Sequence, residues 1–157
     1  VSDGPDPVMT RITAAIERSR GGDAPGAAAE FDALWADVGE DGDAFHRCVL
    51  AHYAADVQPD AAAELAWDLR ALAAAAAITD ERAQAFHSTL RVQGFYPSLH
   101  LNLAEDYRKL GDSARAREHL GLARQRLHHL DGAAAGYGDT IRTALDRIER
   151  ALDEQPR

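Results

Sequence analysis

Apolar residues recur along this chain at intervals of three and four, and the alternating β-branched and aromatic runs expected of strands are missing, so its segments read as amphipathic helices. The first, about residues 6 to 20, sets Met9, Ile12 and Ile16 on one stripe and stops at Gly21 and Gly22. Asp23 caps a second, about 24 to 38, with Ala27, Phe31, Leu34 and Val38 inward, before the turn Gly39-Glu40-Asp41-Gly42. Asp43 caps a third, to about Asp56, burying Phe45, Val49, Leu50 and Tyr53. Pro59 and Asp60 start a fourth, about 61 to 77, with Ala62, Ala66, Leu69, Ala73 and Ala76 on one stripe. Thr79 or Asp80 caps a fifth, to about Val92, and Pro97 opens a sixth that ends near Leu110 and Gly111. Asp112 caps a seventh, to about Leu130, and after a loop from Asp131 to Gly138 an eighth, about 139 to 154, carries Ile141, Leu145, Ile148 and Leu152. The expected fold is all-α, with about eight helices packed through short loops as antiparallel hairpins in a single domain, 1–157.

Composition narrows the class. The chain has 157 residues, enough for a core without disulfide or metal staples. Its longest apolar run, Ala71 to Ile78, is far short of the ~20 residues of a membrane span, so no membrane association is expected. A lone Cys48 excludes an internal disulfide, and no basic and apolar leader opens the sequence, which together point to a reducing, cytoplasmic setting. Net charge is −9, with seven Arg against eighteen acidic residues before position 108. Such a body repels phosphate backbones, and the interleaved charges of the last third read as a solvated helix face, so no nucleic-acid partner is expected.

Spacing also hints at repetition. Ala27, Phe31, Leu34 and Val38, then Ala62, Ala66, Leu69 and Ala73, then Ala116, Leu120, Ala123 and Leu127 share one set of offsets. His46 and Tyr53, like His100 and Tyr107, precede the second and third of these sets at equal distances. The stretch from Leu99 through Ala123 resembles a tetratricopeptide repeat, with Leu103, Ala104, Tyr107, Gly111, Ala116, Leu120 and Ala123 at the defining places. Residues 43–75 give a second copy with Leu50, Tyr53, Ala62 and Leu69, and residues 8–40 a third with Gly22, Ala27, Phe31 and Leu34. His128 stands where the family has a proline, and a helix at about 80–92 is inserted between the two better copies. The resemblance implies a right-handed array of helical hairpins over 8–130, capped by the helix at 139–154.

Candidate chemistry is sparse. No phosphate-cradling glycine loop, nucleophile elbow or His-Glu-x-x-His occurs, so no catalytic residue and no cofactor are expected. Acidic residues such as Asp37, Glu40, Asp41 and Asp43 suit caps and turns, and Cys48 has only Arg47 beside it to activate a thiol. Neither His128 with His129 nor His46 with His52 has the spacing of a helical zinc grip, and His100 with His119 would need a tertiary third ligand, so no metal site is assigned.

By resemblance, the first helix of each hairpin lines a groove for a peptide or protein partner. That places Ser98, Leu101, Glu105 and Arg108 in the groove, with Asn102 and Lys109 alongside, and Ala44, Arg47, Ala51 and Ala54 in the middle copy. The family's clamp for a terminal carboxylate is not expected, because Ile12 and Ile16 occupy its place. A non-enzymatic interaction module is therefore the leading expectation. The alternatives are a sensor or accessory domain with a small apolar ligand, and self-association, to a homodimer, through the fourth helix and Trp67. The Gly94-Phe95-Tyr96-Pro97 turn is either a recognition ledge or a cover for the junction of the inserted helix.

Overall fold

The structure, a computed structural model, describes residues 5–131 and 136–155; the middle of the loop expected at Asp131 to Gly138 lies outside the described residues. Among the described residues there are eight α-helices and no strand: α1 Pro7–Arg20, α2 Ala24–Val38, α3 Ala44–Ala55, α4 Ala61–Ala75, α5 Asp80–Phe86, α6 Tyr96–Lys109, α7 Ser113–Gln125 and α8 Tyr137–Glu154. No described helix is long and apolar enough to cross a membrane.

The helix starts lie where short polar side chains can accept from otherwise unpaired N–H groups. Asp23 accepts from the Gly26 N–H at 2.9 Å, Asp43 from His46 at 3.0 Å, Asp60 from Ala63 at 2.8 Å and Asp112 from Arg115 at 3.0 Å. Thr79, rather than Asp80, caps α5, accepting from Arg82 at 3.1 Å.

Two helices end sooner than their periodicity predicts. α5 stops at Phe86, because the Asp80 carboxylate accepts the Val92 N–H at 2.8 Å and folds the following segment back on the helix start. That segment ends in a 3-10 turn, Val92–Phe95, instead of continuing as helix. α7 stops at Gln125, and a second 3-10 turn, Leu127–Leu130, follows. The tighter turn aligns residues three apart, so Leu127 and Leu130 are both buried.

The inward stripe predicted for α4 is wrong in register. Ala62, Ala66, Leu69, Ala73 and Ala76 are exposed, Leu69 by 42%. Trp67, Ala71, Ala74 and Ile78 are buried instead, at the same spacing displaced by five residues. A tryptophan has several times the hydrophobic area of an alanine, so its burial fixes the rotation of a helix whose other faces are methyl groups. Trp67 is only 6% exposed, which removes it as a surface anchor for self-association. It meets Trp35 of α2, edge to face at 5.4 Å, and the Arg70 guanidinium lies over the Trp35 and Trp67 indoles at 5.1 and 4.4 Å.

Consecutive helices pack as pairs, α1 with α2, α3 with α4 and α6 with α7. Across pairs α2 meets α3, α4 meets α6, and both α6 and α7 meet α8. The short α5 stays peripheral, so α4 packs on α6 directly despite the insertion. Gly111, at φ +81° in the turn between α6 and α7, adopts a left-handed conformation that side chains oppose. Buried apolar side chains form two clusters that meet along α6: Leu99 belongs to the cluster of α1 to α5, and Ala104 to that of α7 and α8. The α8 stripe Ile141, Leu145, Ile148 and Leu152 is wholly buried in the second.

Candidate functional site

Two concavities open beside α1, α3, α6 and α8. The smaller, of about 310 Å³, lies between α6 and α8. Four residues expected in a groove, Leu101, Asn102, Glu105 and Arg108, line it together with Ala144, Arg147, Ile148 and Ala151 of α8. Arg108 holds Glu105 through two hydrogen bonds, of 2.8 and 2.7 Å, so each neutralises the other at the rim. The amide of Asn102 is turned inward, toward Asp68 and toward the His52 ring, whose Nδ1 is 3.4 Å away.

The other two predicted groove residues lie apart from this cleft. Ser98 lines the larger hollow, its hydroxyl donating to the Phe95 carbonyl at 3.1 Å. Arg47 lines neither space; its guanidinium donates to the Gly42 carbonyl at 2.9 Å and closes the turn before α3. Ala51 and Ala54, placed in the groove by the middle copy, are fully buried. α3 sits between α2 and α4, which turns its open face round to Val49, His52 and Tyr53.

The larger hollow, of about 1000 Å³, is bounded by α1, α3, the segment from Phe86 to Phe95, the start of α6 and the turn before α8. Met9 and Ile16 of α1 and Val49 and Tyr53 of α3, assigned to the core from their periodicity, line it. One signal could have revealed it. α3 is apolar almost all round, so it must cover two faces, and the other helices available leave one of them open. The Gly94 to Pro97 turn acts as a cover more than a ledge: Phe95 lies 6.5 Å from Phe45 at the hollow's wall, and Tyr96 stacks on His100. Burial pushes the Cys48 thiol up to about 12, so it is uncharged and a poor nucleophile at neutral pH.

His100 and His119 do meet, Nδ1 to Nδ1 at 3.0 Å. Such a bond needs one protonated and one bare nitrogen, so the accepting ring is neutral. Burial lowers both pKa values, that of His100 to about 4 with further help from the neighbouring His119 and Arg126 charges. The pair stands inside a stack, Tyr96, His100, His119 and Tyr107, with successive ring centres at 6.0, 5.2 and 5.5 Å. Among the described residues no group of three or more His, Cys, Asp or Glu side chains is arranged to hold a metal ion.

A buried acidic pair went unrecognised in the sequence. Asp68 of α4 and Asp106 of α6, 3% and 2% exposed, lie close enough to perturb each other's ionisation where the two core clusters join. Asp68 Oδ1 and Asp106 Oδ2 are buried without a hydrogen-bond partner among the described residues. Asp68 hid beside Trp67 in a helix whose register was set by alanines, and Asp106 sat in an ordinary charged run. No family model matches the chain, and neither a curated protein nor a solved structure matches it.

Proposed function

We propose that this protein is a non-enzymatic binding module, resembling the tetratricopeptide repeats, that takes a peptide or protein segment in the cleft between α6 and α8. The observation that supports this is the convergence of Leu101, Asn102, Glu105 and Arg108 with the inner face of α8. The cleft floor of Leu101, Ala144, Ile148 and Ala151 suits apolar side chains at helical spacing, and Arg147, without a carboxylate partner among the described residues, suits an acidic neighbour on the same segment. The direct packing of α4 on α6 also favours a hairpin array that continues past the insertion. A reducing cytoplasm of bacterial type fits a chain with one buried cysteine.

The test is affinity purification from the native cell with tagged wild type, Arg147→Ala, Arg108→Ala and Ala151→Trp, followed by mass spectrometry. A partner retained by wild type and lost with Ala151→Trp, while stabilities stay within about 1 kcal/mol, supports the cleft. Identical capture by all four proteins refutes it.

A further inference from the structure

The larger hollow differs from the rest of this acidic molecule in its charge. The chain carries 26 Asp and Glu, yet none of the described ones lines the hollow. Among the described residues that line it, the one permanent charge is Arg91, an exposed residue whose guanidinium donates only to the Leu90 carbonyl, at 3.1 Å, and has no carboxylate within ion-pair distance. Arg11, Arg18, Arg82 and Arg108, by contrast, are all paired with acids. Deeper in, the wall is hydrocarbon: Met9, Ile12, Ile16, Val49 and Leu99. On the α3 wall, burial raises the Cys48 thiol and lowers the His52 ring, so both are uncharged at neutral pH. A volume of about 1000 Å³ lies at the upper end of the range for small-molecule sites.

We propose that the hollow is a ligand site for a small amphipathic acid, an apolar body seated between α1 and α3 with its carboxylate at Arg91. This goes beyond the peptide-binding cleft and uses none of its residues, so either can fail alone. An anion is selected because Arg91, the one permanent cation among the described lining residues, lacks a carboxylate partner. The body is apolar because a polar group placed against Ile12 and Val49 would lose its water without finding a partner.

The test is calorimetric titration of the full chain with decanoate, decan-1-ol and decyltrimethylammonium, each below its micelle concentration. Decanoate is expected to bind saturably at one per chain, octanoate more weakly by up to roughly fourfold per methylene removed, and the ammonium salt least. Arg91→Gln should weaken decanoate about tenfold and leave decanol unchanged. Thr13→Trp, at an exposed position on the rim, should abolish both, with helicity by circular dichroism showing that the fold persists. Equal binding of decanoate and decanol, indifferent to Arg91→Gln, would overturn the carboxylate assignment. No binding of any probe would overturn the site. A concentration-dependent dimer that Thr13→Trp abolishes and decanoate does not dissociate would give the hollow to a second copy and likewise overturn it.

Discussion

Asp68 and Asp106 approach each other across the α4 and α6 interface, close enough to perturb each other's ionisation, with both side chains almost wholly out of water and one oxygen of each unpartnered among the described residues. Two carboxylates cannot both be ionised in that position, so the pair retains a proton. Burial raises both pKa values. For Asp106 the neighbouring Asp68 and Glu64 raise it further; for Asp68 the charges of Asp56 and Glu64 also raise it, while the neighbouring Asp106 and Asn102 pull the other way. Lys109, the nearby cation, is engaged with Glu64 at 3.1 Å.

The pair makes stability depend on pH with a defined sign. A carboxyl whose folded pKa lies above its unfolded value of 3.8 contributes stability that is complete below that value and lost as pH rises. Urea midpoints are therefore expected to fall from pH 5 to pH 9 in wild type. Asp106→Asn places a donor beside Asp68 without needing a proton, so its midpoint should change less and exceed wild type at pH 9. A wild-type midpoint that rises over this range, or an Asn variant with an unchanged slope, would contradict the retained proton.

The histidine pair acts in the opposite direction. Because its folded pKa lies below 6.5, His100 favours the folded state while neutral and penalises it as pH falls toward about 4. Burial is the larger cause and the His119 charge the next, so His119→Gln should raise the His100 pKa without restoring 6.5. Proton NMR of the ring hydrogens measures this directly, and a His100 titration unmoved by the substitution would show that the two rings are not coupled.

Trp67 is expected to be the most expensive side chain to truncate on α4. Trp67→Ala removes the edge-to-face contact with Trp35 and the platform for Arg70, and should cost about 3–5 kcal/mol in urea unfolding. Leu69→Ala, on the face that the alanine pattern predicted to be inside, should cost under about 1 kcal/mol. Reversal of that order would restore the alanine stripe to the core.

Asp43 does two things that can be separated. It caps α3 through the His46 N–H and pairs with Arg82 of α5 at 2.8 Å. Asp43→Asn should keep the cap while weakening the tie to α5, and Asp43→Ala should lose both at about 1–2 kcal/mol. Hydrogen exchange is the measurement: in the Asn variant the amides of α5 should exchange faster and those of α3 should not.

The sequence by itself determined the helices, their caps and most of their ends, because capping, glycine turns and apolar periodicity act over a few residues. Asp23, Asp43 and Asp112 cap the helices they were expected to cap, Asp60 caps the helix whose start it was expected to mark, and α8 buries the four residues its pattern marks. The resemblance to a tetratricopeptide repeat put Leu101, Glu105 and Arg108, with Asn102 alongside, toward a groove, and these four line one cleft. Only the tertiary structure decided which face of α4 is inside, because alanines carry too little area to choose and the choice fell to the contact of Trp67 with Trp35. The same holds for the end of α5, set by Asp80 reaching Val92, and for Arg47, drawn to the Gly42 carbonyl. The hollow and the acidic pair are likewise products of assembly. One is apolar surface that three helices leave uncovered, and the other is two ordinary aspartates brought together from positions 38 residues apart in the chain.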